Sequence, residues 1–392
     1  MKKIFALFSF ILSKGFTKVV KRNNNIWLYG AWFGEKFIDN TKYLFINNNK
    51  KNDAVRHIWI TKNKQVKQSL NENGYECYLD NSIKGIWLQL RAGIFICVQG
   101  VSDFNKFLVN NCTIINLWHG IPLKKIMYDD NINSTRKNTF GSRVYLATVD
   151  KNNNEKYVLS TSDKITQIYK NAFRIDENHI LQLGQPRNDI FYCDNIVDVD
   201  IKRFKNRKTI VYMPTHRQKG KVEININKLF DLQSLNDFCE KNGYIFIIKK
   251  HYCHINEKTV GIDKYKYVID ITKSTIDPQI LLRNTDILIC DYSSAYIDYL
   301  LLDRPIIFYN YDIADYVIND REMYFDYDEV TPGVKVENYG ELLASLNSIV
   351  KTEDKYKLER EKVRNIFYDK NAQCMVSDAI YKRIIGISKK IL

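Results

Sequence analysis

This chain of 392 residues is short of several features that would classify it at once. It carries eight cysteines, Cys77, Cys97, Cys112, Cys193, Cys239, Cys253, Cys290 and Cys374, yet no CxxC pair. Several of them fall within apolar, strand-like runs, so they read as buried thiols of a reducing compartment, which excludes a disulfide framework. His251, Cys253 and His254 lie close together, but no second ligand cluster completes a coordination sphere, so no metal and no cofactor is predicted. No segment approaches the roughly 20 apolar residues that span a bilayer. An arginine-rich arm, zinc-finger spacing and RNP-type aromatics are all missing, which leaves nucleic acid the least favoured partner. There is no internal repeat.

Basic charge, by contrast, is in excess. Lys+Arg number 59 against 45 Asp+Glu, a formal charge of +14, so an anionic partner is expected: acidic lipid or a phosphorylated substrate. A hydrophobic fraction of 45% with 13% aromatics supports globular cores, and the length favours two domains. Residues 1–22 open with Met1-Lys2-Lys3, an apolar stretch and then Lys14, Lys18, Lys21 and Arg22, with no small-residue cleavage site. Positions 4, 5, 8, 11 and 12 share one helical face, so the segment is predicted to be an amphipathic helix on an anionic membrane surface.

Apolar runs then alternate with polar stretches long enough for helices. Strands are predicted at 26–30, 56–60, 94–98, 114–117, 144–149 and 179–184, and again at 209–213, 244–248, 287–290 and 305–309. Uninterrupted apolar strands separated by helices imply parallel sheets covered on both faces. A charged, aperiodic stretch from Asp194 to Lys208 reads as the connection between two domains, 23–200 and 201–392. The second is expected to end in closing C-terminal helices, patterned over about 352–388. The fold class is therefore α/β of GT-B type: two Rossmann-like domains with parallel sheets facing a central cleft, plus the N-terminal helix.

Four clusters follow strand ends, where open α/β sheets bind ligands. In Leu117-Trp118-His119-Gly120, glycine turns the chain and leaves an imidazole able to accept a proton; a histidine that merely ends a strand is the plainer alternative. In Pro214-Thr215-His216-Arg217, the arginine fork and the histidine suit phosphate, although Thr215 could also be a helix cap. Lys249-Lys250-His251 makes a small electropositive site or, alternatively, a solvated charge run. Asp291-Tyr292-Ser293-Ser294 reads as buried strand, tight turn and helix start, with hydroxyls and backbone N–H groups turned to an anion. Asp291 could orient a histidine or a substrate hydroxyl, and Asp298 one turn later could be structural.

Taken together, these strings resemble the CDP-glycerol glycerophosphotransferase family, which includes teichoic-acid primases, polymerases and related capsule enzymes. The resemblance also runs through Trp32-Phe33-Gly34-Glu35, Asn40-Thr41-Lys42-Tyr43-Leu44-Phe45, Gly184-Gln185-Pro186-Arg187-Asn188-Asp189 and Arg304-Pro305-Ile306-Ile307-Phe308-Tyr309. It implies a GT-B fold, peripheral association with the cytoplasmic face of the membrane, and transfer of a polyol phosphate from a CDP-activated donor. It also implies His119 as catalytic base, His251 as a second essential histidine near the diphosphate, and Ser293 and Ser294 as donor-phosphate contacts. Gly120, Thr215, His216, Arg217, Lys249, Asp291 and Arg321 complete the expected substrate-binding set. The chain departs from the family pattern at His216, often tryptophan, and at Glu322 after Arg321, often glycine; both bear on the choice of donor and acceptor.

The expected activity is transfer of glycerol phosphate, or a related polyol phosphate, from CDP-glycerol or another CDP-polyol to a hydroxyl of a lipid-linked glycan or polymer, releasing CMP. Two rivals remain: a GT-B glycosyltransferase using a nucleotide sugar, and a non-catalytic membrane scaffold for anionic polymer. The first differs in its leaving group, the second in having no need of His119.

Overall fold

The computed structural model describes residues 20–130, 155–193, 207–215, 222–313, 322–352 and 354–390. The predicted strand at 144–149, nearly all of the 1–22 segment, most of the 194–208 connection, and His216, Arg217 and Arg321 lie outside the described residues. By internal packing the described chain forms two units. The first holds residues up to Gly120, 127–189 and from Tyr368 onward; the second holds Ile121–Ile126 and Ile190–Phe367.

The first unit runs β1 (Asn23–Tyr29), α1 (Asp39–Asn48), β2 (Arg56–Thr61), α2 (Lys64–Glu72), β3 (Cys77–Leu79), α3 (Ile83–Arg91), β4 (Ala92–Cys97), β5 (Thr113–Asn116), β6 (Glu155–Ser160), α4 (Asp163–Phe173) and β7 (Ile180–Gln182). Its sheet is parallel, in the order β3-β2-β1-β4-β5-β6-β7. Leu28 pairs with Ile58 on one side and Phe95 on the other. Side chains alternate across the sheet. Trp27 and Tyr29 therefore join Ile94 and Ile96 in one core, while Leu28, Ile58 and Phe95 join Leu88 and Phe104 in another. With both faces buried, the strands read as unbroken apolar runs. Asn63, Ser82 and Ser162 start α2, α3 and α4 by accepting backbone N–H bonds.

The second unit runs β8 (Lys208–Met213), α5 (Leu232–Asn242), β9 (Tyr244–Ile248), β10 (Val268–Asp270), α6 (Pro278–Arg283), β11 (Ile287–Cys290), α7 (Ala295–Tyr299), β12 (Ile306–Tyr309), β13 (Val334–Val336), α8 (Tyr339–Lys351) and α9 (Lys357–Phe367). Its parallel order is β10-β9-β8-β11-β12-β13. In both sheets the order reverses beside the first strand, between β1 and β4 and between β8 and β11, which is the switch point where doubly wound sheets bind ligands. Within this unit Lys124 bridges to Met323, and the Glu322 carbonyl accepts from Lys125 N–H at 2.8 Å. The Glu322 carboxylate also pairs with Lys125, which gives this departure from the family pattern a structural use.

Three expectations change. The last helix, α10 (Ser377–Lys390), belongs to the first unit rather than closing the second domain. Its Ile380, Ile384 and Ile387 stripe buries in the core of Trp27 and Tyr29, and Asp189 receives the N–H groups of Val376 and Ser377 at 2.7 and 3.0 Å. The change of unit falls at Asp189–Ile190, ahead of residue 200. Arg22, expected among the lipid-facing basic residues, is bound within the first unit. Its guanidinium instead donates to the carbonyls of Ala92 (3.0 Å), Leu108 (2.8 Å), Gln89 and Asn110, a framework role that uses its donors inside the unit. Four strands escaped the sequence reading: β3, β10 and β13, each of three residues, and β6, whose first two residues are charged. None of the eight cysteines forms a disulfide, and five are buried, their thiols pushed up by desolvation, Cys77, Cys112 and Cys239 to about 12.

Candidate active site

In the first unit, loops after β1, β4, β5 and β7 meet around His119. Its Nδ1 lies 3.2 Å from the Val98 carbonyl at the end of β4. A carbonyl only accepts, so Nδ1 carries the hydrogen and the neutral ring keeps its lone pair on Nε2. Trp118 adopts φ +56°, an unfavourable value for a bulky residue. Its N–H donates to Asn116 Oδ1 at 3.0 Å, and its carbonyl accepts from Asn40 Nδ2 at 2.9 Å. The same amide reaches the Leu117 carbonyl at 3.2 Å, and Asn40 Oδ1 accepts from Arg187 N–H at 3.1 Å. Arg187 Nη1 then donates to the His119 carbonyl and to Asp39 Oδ1, both at 3.1 Å. Gly120 sits at φ +133°, and a Cβ there would come within 3.0 Å of the Arg187 guanidinium, so only glycine admits both the turn and the arginine.

Asp103 sets the other side. Its Oδ2 accepts from Val98 and Gln99 N–H at 2.9 and 2.8 Å, and its Oδ1 from Phe33 N–H at 2.7 Å. Burial pushes this carboxyl up to about 6 against those three donors. The Trp32 ring lies 5.9 Å from the imidazole, and its Nε1–H donates to Asp39 Oδ2 at 3.1 Å. Three family strings with no assigned chemistry, at 32–35, 40–45 and 184–189, thus converge on one histidine. Only their polar residues beside apolar runs could have hinted at this.

In the second unit the switch point is tied by Asp291, fully buried at the end of β11. Its Oδ1 accepts both the N–H (2.8 Å) and the hydroxyl (2.7 Å) of Thr215 at the end of β8. Through Oδ1, Asp291 ties the end of β8 to the end of β11. Tyr327 donates to the Asp291 carbonyl at 3.0 Å, and burial raises its phenol. Ser293 Oγ accepts from Ala295 N–H at 3.3 Å, while Ser294 precedes α7 without a side-chain cap. Asp298 is buried and receives Gln279 Nε2 at 3.2 Å.

After β9, Lys249 Nζ donates to the carbonyls of Ser274 (2.6 Å) and Ile271 (3.3 Å). His251 follows, half-buried, its carbonyl accepting from His254 N–H at 2.8 Å. Lys250 and His254 are buried on one carboxylate, with Lys250 Nζ 3.2 Å and His254 Nδ1 2.5 Å from Glu257. Sequence reading missed this trio. Among the described residues, no group of three or more His, Cys, Asp and Glu is arranged to hold a metal ion. The structure gathers Thr215, Asp291, Ser293 and Ser294 at one switch point, Lys249 and His251 at the neighbouring strand end, and His119 with Gly120 in the first unit.

A family described as CDP-glycerol:poly(glycerophosphate) glycerophosphotransferase matches residues 13–386. The teichoic acid glycerol-phosphate transferase of Staphylococcus aureus is 28% identical over 362 residues, covering 89% of each chain. A teichoic acid poly(glycerol phosphate) polymerase of Bacillus spizizenii is 28% identical over 392 residues, covering 95% of this chain and 92% of its own. The solved wall teichoic acid polymerase TagF superposes with a TM-score of 0.76 at 23% identity, over 98% of this chain and 96% of that one. A UDP complex of Staphylococcus aureus MnaA superposes at 0.54 and 9% identity, over 95% and 98%. These structural likenesses establish the fold: two parallel doubly wound α/β units of the kind found in these enzymes. The match over residues 13–386 settles the family, and the chain belongs to the CDP-glycerol:poly(glycerophosphate) glycerophosphotransferases.

Proposed function

We propose that this enzyme moves glycerol phosphate from CDP-glycerol to a hydroxyl of a teichoic-acid-type glycan or polymer, with CMP as the second product. The acceptor hydroxyl gives its proton to His119 Nε2, and its oxygen attacks the β-phosphorus. The bond from that phosphorus to the bridging oxygen breaks, and CMP leaves with the electron pair. Thr215, Ser293, Ser294 and His251 contact the donor phosphates, joined by His216, Arg217 and Arg321, while Lys249 adds positive charge at the same strand end. This is catalysis by positioning and charge stabilisation.

The observation that carries the reading is the His119 tautomer: a carbonyl on Nδ1 puts the basic lone pair on Nε2. Purified protein should release CMP from CDP-glycerol only when an acceptor is present, with CDP-ribitol and nucleotide sugars as the comparison donors. His119→Ala should cut turnover about a thousandfold and leave CDP-glycerol affinity nearly unchanged. Near-normal turnover in that variant removes His119 from the reaction; release of a nucleoside diphosphate from a sugar donor transfers the case to a glycosyltransferase.

The acceptor is read as lipid-linked and the enzyme as peripheral on the cytoplasmic face of an anionic membrane. Among the described residues no helix is long and apolar enough to cross a bilayer. The charge of +14 supports surface attachment. So does α3, which has no acidic residue and exposes Ile83 (91%) and Trp87 (51%) beside Lys84. Co-sedimentation with phosphatidylglycerol vesicles, absent with phosphatidylcholine, is the expected result. Equal binding to both, or to neither, refutes this part.

A further inference from the structure

At the end of the first sheet away from His119, where β1, β4, β5 and β6 begin, lies a cavity of about 740 Å³. That volume falls within the roughly 300–1,000 Å³ of small-ligand sites, yet open α/β sheets hold their reacting groups at the opposite, carboxyl ends. The lining is basic. Lys21, Arg22 and Arg91 share it with one acid, Glu155. That carboxylate already accepts from the Tyr157 hydroxyl at 2.5 Å and lies 3.9 Å from His179 Nε2. Arg22 donates to four backbone carbonyls, which fixes one cation in the wall. Among the described residues, the Lys21 ammonium and the Arg91 guanidinium have no hydrogen-bond or ion-pair partner. The wall is also shaped. β1 shifts register against β4 between Asn23 and Trp27, Asn24 Nδ2 donates to the Ser388 carbonyl at 3.0 Å, and a Cβ on Gly93 would run into Asn24.

Arg91 closes α3, and the exposed Ile83 and Trp87 precede it at four-residue spacing, on one stripe of the helix about 12 Å long. An apolar stripe that leads to two unpaired cations in a cavity matches a molecule with an anionic head and an apolar tail. We propose that the cavity takes the phosphate of a single anionic phospholipid, whose acyl chains lie over Trp87 and Ile83. The site rests on the reading of the enzyme as peripheral on an anionic membrane, and it adds a saturable contact to that reading. Diffuse attraction by a charge of +14 scales with surface charge, whereas a cavity fills once. A soluble phosphate would use the cations and leave the apolar stripe in water.

The test uses the full chain and dihexanoylphosphatidylglycerol below its micellar range, read by thermal midpoint. At about ten times its Kd the lipid should raise the midpoint saturably, by about 3 °C or more, and dihexanoylphosphatidylcholine should not. Lys21→Gln combined with Arg91→Gln removes no bond within the described residues. The fold, and CMP release with a soluble acceptor, should therefore match the parent while phosphatidylglycerol affinity falls at least tenfold. Trp87→Ser should weaken phosphatidylglycerol about tenfold and leave sn-glycerol 3-phosphate, the head without its tail, as weak a ligand as before. Equal shifts from both lipids, a shift that the double variant keeps, or sn-glycerol 3-phosphate binding as tightly as the lipid overturns the site. Failure of the parent to sediment with phosphatidylglycerol vesicles overturns surface attachment as a whole. Sedimentation without any midpoint shift by the soluble lipid overturns the cavity alone, so the two failures are told apart.

Discussion

Both units end a parallel strand in a histidine loop close to a switch point, yet they hold that loop in opposite ways. His119 is braced from afar: Asn40 and Arg187 reach its three-residue turn from other strand ends, and Val98 fixes the ring. His251 is braced from within its own loop, through His254 and the Lys250–Glu257–His254 cluster a few residues away. The first arrangement ties an imidazole to the geometry of the whole sheet, which suits the proton acceptor proposed for it. The second concentrates the cost of order in one buried ion pair, which suits the place beside an anion proposed for His251.

Breaking the local brace should have the largest effect on stability. Glu257→Leu strands the buried Lys250 ammonium and should cost the second unit about 3–5 kcal/mol in urea unfolding. Replacing all three members by apolar residues should recover most of that, because a fully apolar cluster avoids the desolvation penalty. A loss below about 1 kcal/mol for the single substitution would show that the pair is not closed to water.

The first unit has a buried histidine of its own, on which the Asp53 carboxylate acts too weakly to offset burial. His57 Nδ1 meets the Tyr29 hydroxyl at 2.9 Å, and desolvation lowers its pKa from 6.5 to about 4. The unfolded chain binds the proton first, so stability is full above pH 6.5 and falls as pH drops toward 4, by about 3 kcal/mol at the limit. Asp103 works against this: its carboxyl is raised to about 6, so protonation there favours the folded state. The difference between parent and His57→Gln across pH 4–7 isolates the histidine. Parallel pH profiles for the two proteins would mean that water reaches His57.

The same contrast governs what can be read in the sequence. Strands buried on both faces announce themselves as apolar runs, and β1, β2, β4, β5, β8, β9, β11 and β12 were legible for that reason. The edge strands β3, β10 and β13 bury too few residues to make a pattern, β7 being the edge strand that was read, and β6 opens on two charged residues, Glu155 and Lys156. His119 was legible because glycine and a strand end flag it. Its brace was not, since Asn40, Asp39 and Arg187 lie far from it along the chain and each resembles an ordinary polar residue. The bonds of Asp291 to Thr215 and of Lys249 to two carbonyls were equally out of sight, because they join residues far apart along the chain.

Asn40→Ala asks whether distance makes the first brace weaker. It leaves the Leu117 and Trp118 carbonyls and the Arg187 N–H without the amide, at a cost of about 2 kcal/mol in stability. Turnover should fall about a hundredfold with CDP-glycerol KM little changed, as a misplaced base would give. On a His119→Ala background the same substitution should cost almost nothing further in rate. Independent, multiplying effects would reduce Asn40 to a purely structural role.

Arg187→Lys is the finest probe. Lysine keeps the positive charge opposite Asp39, at 3.1 Å in the parent, but loses the planar fork that also reaches the His119 carbonyl. Stability should therefore change by about 1 kcal/mol or less, since the ion pair survives and one carbonyl bond is lost. The rate should still drop about fivefold to tenfold, because the turn carrying the imidazole loses a fixed point while the charge balance does not move. Gly120→Ala in the same background separates the two uses of that glycine. Lysine vacates the space a Cβ would enter, so any penalty that remains belongs to the φ of +133° alone. If Arg187→Lys leaves the rate untouched, the brace acts through Asn40 and the contribution of the arginine is confined to its ion pair.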